Sequence, residues 1–170
     1  PLRSVEVDGV QVHRFRSQSK LMSAFVAFGD NSLSWTKKRL ENAFSMRDGM
    51  KLLCQTHRFD IVEMPECGAE GAALKADGPP TVIRLHSPSK LIIPFYGIGK
   101  IDTNLCSAIE KRAIGRATAV SSCSKFLADE ARLKLGISRP IEVIPNGIDV
   151  ALFDGSDQID IRHEYGLAEN

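Results

Sequence analysis

Four places in the chain set reactive or hydrogen-bonding side chains directly behind a short apolar run. Phe59-Asp60-Ile61-Val62-Glu63 leads into Glu66, Cys67 and Gly68, and Thr81 to Leu85 leads into His86 and Ser87. Ala117 to Val120 leads into Ser121, Ser122, Cys123 and Ser124, and Ile141 to Ile144 leads into Pro145, Asn146 and Gly147. Carboxylates, an imidazole, hydroxyls and an amide are groups suited to gripping a polyol or a phosphate. In an open parallel sheet the turns after the strands share one edge, and ligands bind there. Each residue also has a plainer use. Ser122 and Ser124 serve as helix caps, Asn146-Gly147 tolerates left-handed turn geometry, and Glu63 or Glu66 stabilises the start of a following helix. His86 is either a functional imidazole or a histidine hydrogen-bonded at the sheet margin. His13, His57 and His163 read as surface residues.

The intervening segments supply the elements that must position these groups. Helical spacing of Leu40, Ala43, Phe44, Met50, Leu53 and Cys54 predicts a helix from Trp35 to about His57. A second is expected over Gly68 to Lys75, before the Gly78-Pro79-Pro80 break. A loop is expected from Ser87 to Lys100, then a helix from Thr103 or Asn104 carrying Leu105, Ala108, Ile109 and Ile114. Ser124 is placed to cap a helix over Lys125 to Leu135, which Gly136 ends. Upstream, Val5-Glu6-Val7 and Val10 to Phe15 flank Asp8-Gly9 and predict a hairpin. Leu21 to Ser34 reads as strand or loop. Four strands alternating with helices predict an α/β fold: a Rossmann-like parallel sheet covered by helices on both faces, with the hairpin before it.

Composition narrows the function. The chain has 170 residues, enough for one domain, with 43% hydrophobic and 25% charged residues. Twenty-two Lys and Arg against 21 Asp and Glu give a net charge of +1, without the basic stripe of a nucleic-acid binder. The Lys37-Lys38-Arg39 and Lys111-Arg112 clusters read as solvated helix faces. Cys54, Cys67, Cys106 and Cys123 are far apart with no C-x-x-C, which speaks against a metal site. A cytoplasmic setting with free thiols, or the periphery of a membrane, is expected. No G-x-x-x-x-G-K-[ST] or G-x-S-x-G is present. Gly97-Ile98-Gly99 is followed by Asp102 where a dinucleotide fingerprint needs its third glycine.

Taken in order, "FDIVEMPECGAEG", "PTVIRLHSPSKL", "EKRAIGRATAVSSCSKFLADEARLKLGI" and "IEVIPNGIDVALF" resemble the N-terminal, acceptor-side domain of family 4 retaining glycosyltransferases, one half of a GT-B fold. The most specific piece is "PNGID" followed by Phe153. The resemblance implies transfer of a sugar from a nucleotide-sugar donor to a sugar, lipid or small-molecule acceptor, with no obligatory metal or other cofactor. It implies a catalytic role for His86, near the donor sugar, and an acceptor-facing loop at Glu66 and Gly68. Ser87 and Ser122 are expected to line the same site, and Asn146 and Gly147 to shape its hinge side.

Residues 1–150 are then the domain, and 151–170 start the connection to a donor-binding half. The family's Glu-x7-Glu pair, which lies in that half, is not found here: no Glu has another eight positions later. The family's usual first strand and glycine-rich loop are replaced by the hairpin. The segment alone is therefore expected to be inactive, with an exposed sheet edge open to self-association. The alternative is a non-catalytic Rossmann-like module that binds a carbohydrate or a protein.

Overall fold

The structure, a computed structural model, describes residues 3–14, 33–153 and 164–166. A parallel sheet runs in the order β3-β4-β5-β6, made by β3 (Val62–Pro65), β4 (Thr81–Leu85), β5 (Ala119–Ser122) and β6 (Glu142–Val143). The helices α1 (Ser34–Leu53), α2 (Ser89–Ile92), α3 (Lys100–Arg116) and α4 (Lys125–Leu135) flank it. An antiparallel hairpin of β1 (Arg3–Val7) and β2 (Val10–Arg14) precedes it. The expected Rossmann-like α/β half with an N-terminal hairpin is present. Asp8 and Gly9 take φ of 51° and 77°, the positive pair that a two-residue hairpin turn requires.

Successive strand residues face opposite ways, and that alternation places the core. Met64, Ile83, Leu85 and Val120 share one buried face, closed over by Ile114 of α3 and by Leu127, Ala128, Ala131 and Leu135 of α4. Fully burying a side chain such as Ile83 or Leu85 contributes about 1.5–3 kcal/mol, so this cluster holds the sheet and two helices together. On the opposite face Glu63, Pro65, Ala119 and Glu142 are exposed, and Val82 and Arg84 half-buried. Among the described residues no strand lies beyond β3.

Several boundaries move for identifiable reasons. The helix expected over Gly68 to Lys75 is a 3-10 turn, Glu70–Ala73, entered through Ala69 with φ 58°. The loop expected from Ser87 to Lys100 contains α2 and a second 3-10 turn, Ile93–Tyr96. α3 begins at Lys100, one turn early, and β6 keeps only two paired residues. The strand-or-loop stretch before Ser34, Phe15 of the hairpin, His163 and most of the 151–170 connection lie outside the described residues. His57 is exposed, whereas His13 is half-buried with its ring edge-on to His57 at 5.6 Å.

Candidate functional site

The register brings the carboxyl ends of the four strands level. Pro65 pairs with Arg84, Leu85 with Ser122, and Ser122 with Val143. The residues that follow each strand therefore share one rim, and hydrogen bonds tie each of the four segments to a neighbouring strand or turn.

Glu66, just after β3, is fully buried. Its Oε2 accepts the His86 N–H at 2.9 Å and its Oε1 the Ser87 N–H at 2.5 Å. Burial raises its pKa, and the two N–H donors and the neighbouring imidazole pull the other way. Glu110 of α3, equally buried, grips the next turn: Oε2 accepts the Ser89 N–H at 2.8 Å, and Oε1 accepts the Ser89 hydroxyl. Arg39 of α1 completes this cluster, donating Nε to Glu110 Oε1 at 3.4 Å and Nη2 to Ser89 Oγ at 3.0 Å. Its guanidinium lies 5.0 Å from the Trp35 ring centre. Burial outweighs these partners and pushes Glu110 up to about 7.

Two buried carboxylates thus hold the chain from His86 to Ser89 from beneath, with Pro88 buried between the gripped residues. An acceptor-only carboxylate taking adjacent N–H groups fixes a turn as a helix cap does. What the turn presents is the His86 side chain. It is exposed, and its ring makes no hydrogen bond among the described residues. An exposed imidazole on a fixed backbone suits orienting a hydroxyl or facing developing positive charge.

On the other side of β4, Arg84 Nη2 donates to the Ile144 carbonyl at 2.8 Å and to Asn146 Oδ1 at 2.9 Å. The Ile144 N–H in turn bonds the Ser122 carbonyl at 2.9 Å. Asn146 is exposed with its oxygen engaged, and its amide NH2 keeps its capacity to donate. Gly147 is exposed in open space. Ser122 is fully buried, and its hydroxyl donates to the Ser124 carbonyl at 3.0 Å. Gly68 is buried, and a Cβ there would sit 1.9 Å from Glu70 Oε1. Burial also raises Glu70, and its Oε2 has no hydrogen-bond partner among the described residues.

Of the residues singled out from the sequence, His86, Asn146 and Gly147 therefore stand on the rim and Ser87 is half-buried. Glu66, Gly68 and Ser122 lie underneath, where they shape backbone. Burial and then the nearby carboxylates of Glu66, Glu70 and Glu110 raise the pKa of Cys67, which works against its thiolate form. Among the described residues no His, Cys, Asp and Glu cluster could hold a metal ion. A cavity of about 520 Å³ lies at the opposite end of the sheet, between Met50, Leu74, Pro79 and the strand starts Val62 and Thr81. It touches none of the rim residues.

Sequence reasoning missed Arg39, Arg84, Ser89 and the inward role of Glu110. For Glu110 the reason is visible in the structure and not in the apolar spacing of the sequence. The buried positions of α3 are Asp102, Thr103, Cys106, Ser107, Glu110, Ala113 and Ile114, a 3.6-residue period that puts this glutamate on the inner face. A family model described as Glycosyltransferase Family 4 matches residues 7–152. No curated protein matches the chain.

Proposed function

The chain belongs to glycosyltransferase family 4, as an N-terminal domain of that family, and on that premise we propose that it forms the acceptor side of a sugar-transfer site. The full enzyme takes a hexose from a nucleotide-sugar donor and passes it to a hydroxyl with retained anomeric configuration. His86 is the residue nearest the reaction, orienting a sugar hydroxyl and facing the anomeric carbon as it gains oxocarbenium character. The Asn146 amide donates to substrate across the rim, and Gly147 leaves room for it. Glu66, Glu110 and Ser122 are positioning residues.

The observation that carries this reading is the exposed His86 on a turn locked by two fully buried carboxylates. Such a lock is more than a surface turn needs, and it fits a group that must not move. Arg84 and Arg39 are already engaged with Asn146 and Glu110. Neither is offered to a diphosphate, and the expectation carried over from the family resemblance is that residues 1–170 alone turn over no donor.

The test is His86→Ala in the full-length enzyme, with transfer measured from a panel of nucleotide sugars. Loss of one transition-state contact of this kind costs roughly 10²–10³ in kcat, with thermal stability within a few degrees of the parent. A variant with unchanged kcat would remove His86 from the chemistry.

A further inference from the structure

The cavity of about 520 Å³ at the starts of the strands has no part in the rim around His86. Its walls follow from how the chain packs there. Val62 and Leu74 pack against the main apolar core but stay half-buried, and both also line the cavity, with Met50 of α1 and Pro79. The backbone around them is tied. The Val62 N–H donates to the Pro80 carbonyl at 2.9 Å, the Thr81 hydroxyl to the Pro79 carbonyl at 3.2 Å, and the Thr81 N–H to Thr118 Oγ1 at 3.1 Å. Small-molecule sites are pre-formed cavities of roughly 300–1,000 Å³, mostly apolar with a few polar groups, and this one has both properties.

The charged groups say what it takes. Arg47, Lys51 and Lys75 line the cavity, against the carboxylates of Asp48 and Asp77. Arg47 is engaged: its Nη2 donates to Asp48 Oδ1 at 2.7 Å, and its guanidinium lies 4.7 Å from the Phe44 ring centre. Lys51 and Lys75 are exposed and make no ion pair or hydrogen bond among the described residues. Lys51 sits in the last turn of α1, where a cation also suits the helix dipole; Lys75 has no such use. Asp77 offsets one of the two, so the lining keeps a cation in excess. A polyol would leave hydroxyls unpaired against Met50, Val62, Leu74 and Pro79. A molecule with an apolar body and one anionic group satisfies both the wall and the lysines.

We propose that this cavity is a second binding site, for a small molecule with an aromatic or branched aliphatic body and a single anionic group. The body lies against Met50, Val62, Leu74 and Pro79, and Lys51 and Lys75 hold the anion. The site bears on α1, the helix whose Arg39 supports the His86 turn about three turns earlier. The inference does not rest on the sugar-transfer reading.

Two dyes of nearly the same shape test it: 8-anilinonaphthalene-1-sulfonate and N-phenyl-1-naphthylamine, which lacks the sulfonate. With the full chain the sulfonated dye should bind saturably at a single site, with a rise in emission, and the neutral dye roughly tenfold more weakly. K51A with K75A removes that difference by lowering affinity for the sulfonated dye roughly tenfold and leaving the neutral dye unchanged. Both lysines are exposed, so circular dichroism should remain that of the parent. Cys54 reports the location, because it lines the cavity and is exposed, whereas Cys67 and Cys123 are half-buried and Cys106 is buried. Bound sulfonated dye should slow alkylation of Cys54 by N-ethylmaleimide, read by peptide mass spectrometry. Four results overturn the proposal: no saturable binding, equal affinity for the two dyes, sulfonated-dye binding unaltered by K51A/K75A, or parental alkylation of Cys54 under saturating dye.

Discussion

α3 and α4 pack on the same sheet by opposite means. α4 is an ordinary amphipathic helix: Leu127, Ala128, Ala131 and Leu135 go inward, and Ser124 caps it by accepting the Leu127 N–H at 3.2 Å. α3 joins the shared core through Ile114 near its far end, but from Asp102 to Glu110 it buries carboxylates and hydroxyls. One helix is held by removing apolar surface from water. The other spends its interior on positioning other parts of the chain, namely the start of α1 and the turn that carries His86. Burying carboxylates is costly, and the molecule bears that cost where Asp102 holds α1 and where Glu66 and Glu110 hold the His86 turn.

Removing Glu110 should have the largest effect. Glu110→Ala leaves Arg39 buried without its carboxylate and the Ser89 N–H without an acceptor, a loss of about 3–5 kcal/mol. Leu127→Ala in α4 empties an apolar site instead, for about 2–4 kcal/mol. Chemical denaturation ranks the two, and a Glu110→Ala loss below 1 kcal/mol would mean that the cluster is idle.

The pH dependence separates the helices more cleanly. The folded pKa of Glu110 is raised from 4.5 to about 7, so the folded state holds this proton more tightly than the unfolded chain. Its contribution is fully present below about pH 4.5, is lost as pH rises towards about 7, and stays lost above. Glu110→Gln should remove that slope, on the order of 2 kcal/mol between pH 5 and 8, whereas Leu127→Ala leaves it intact. Glu66, raised in the same direction, leaves a residual slope of the same sign in both variants.

Ser124→Ala gives the smallest change, about 1 kcal/mol from a lost cap. It should leave transfer by the full enzyme unaltered, because the cap lies on the apolar helix.

What could be read from the sequence follows the same divide. α4, its cap and its Gly136 stop were legible because local rules and apolar burial agree there. So were the Asp8-Gly9 turn and the parallel sheet of a βαβ series. Leu105 and Ala108, read as part of α3's apolar content, prove exposed, because Asp102 and Glu110 claim the interior through partners 66 to 71 and 21 residues away. Apolar periodicity finds the inner face of α4 but not that of the start of α3, because it is silent on which distant N–H will pair with a buried carboxylate. For the same reason the rim was readable as a place, and its support was not: Arg84 reaches Asn146 across 62 residues.

Hydrogen exchange at two amides tests most directly whether buried carboxylates hold the His86 turn. In Glu66→Gln one acceptor oxygen becomes an NH2 group facing the His86 and Ser87 N–H groups. Their exchange should accelerate by roughly tenfold or more, while the core amides of Ile83 and Val120 keep parental rates. Parental exchange at both His86 and Ser87 would show that the turn stands without Glu66.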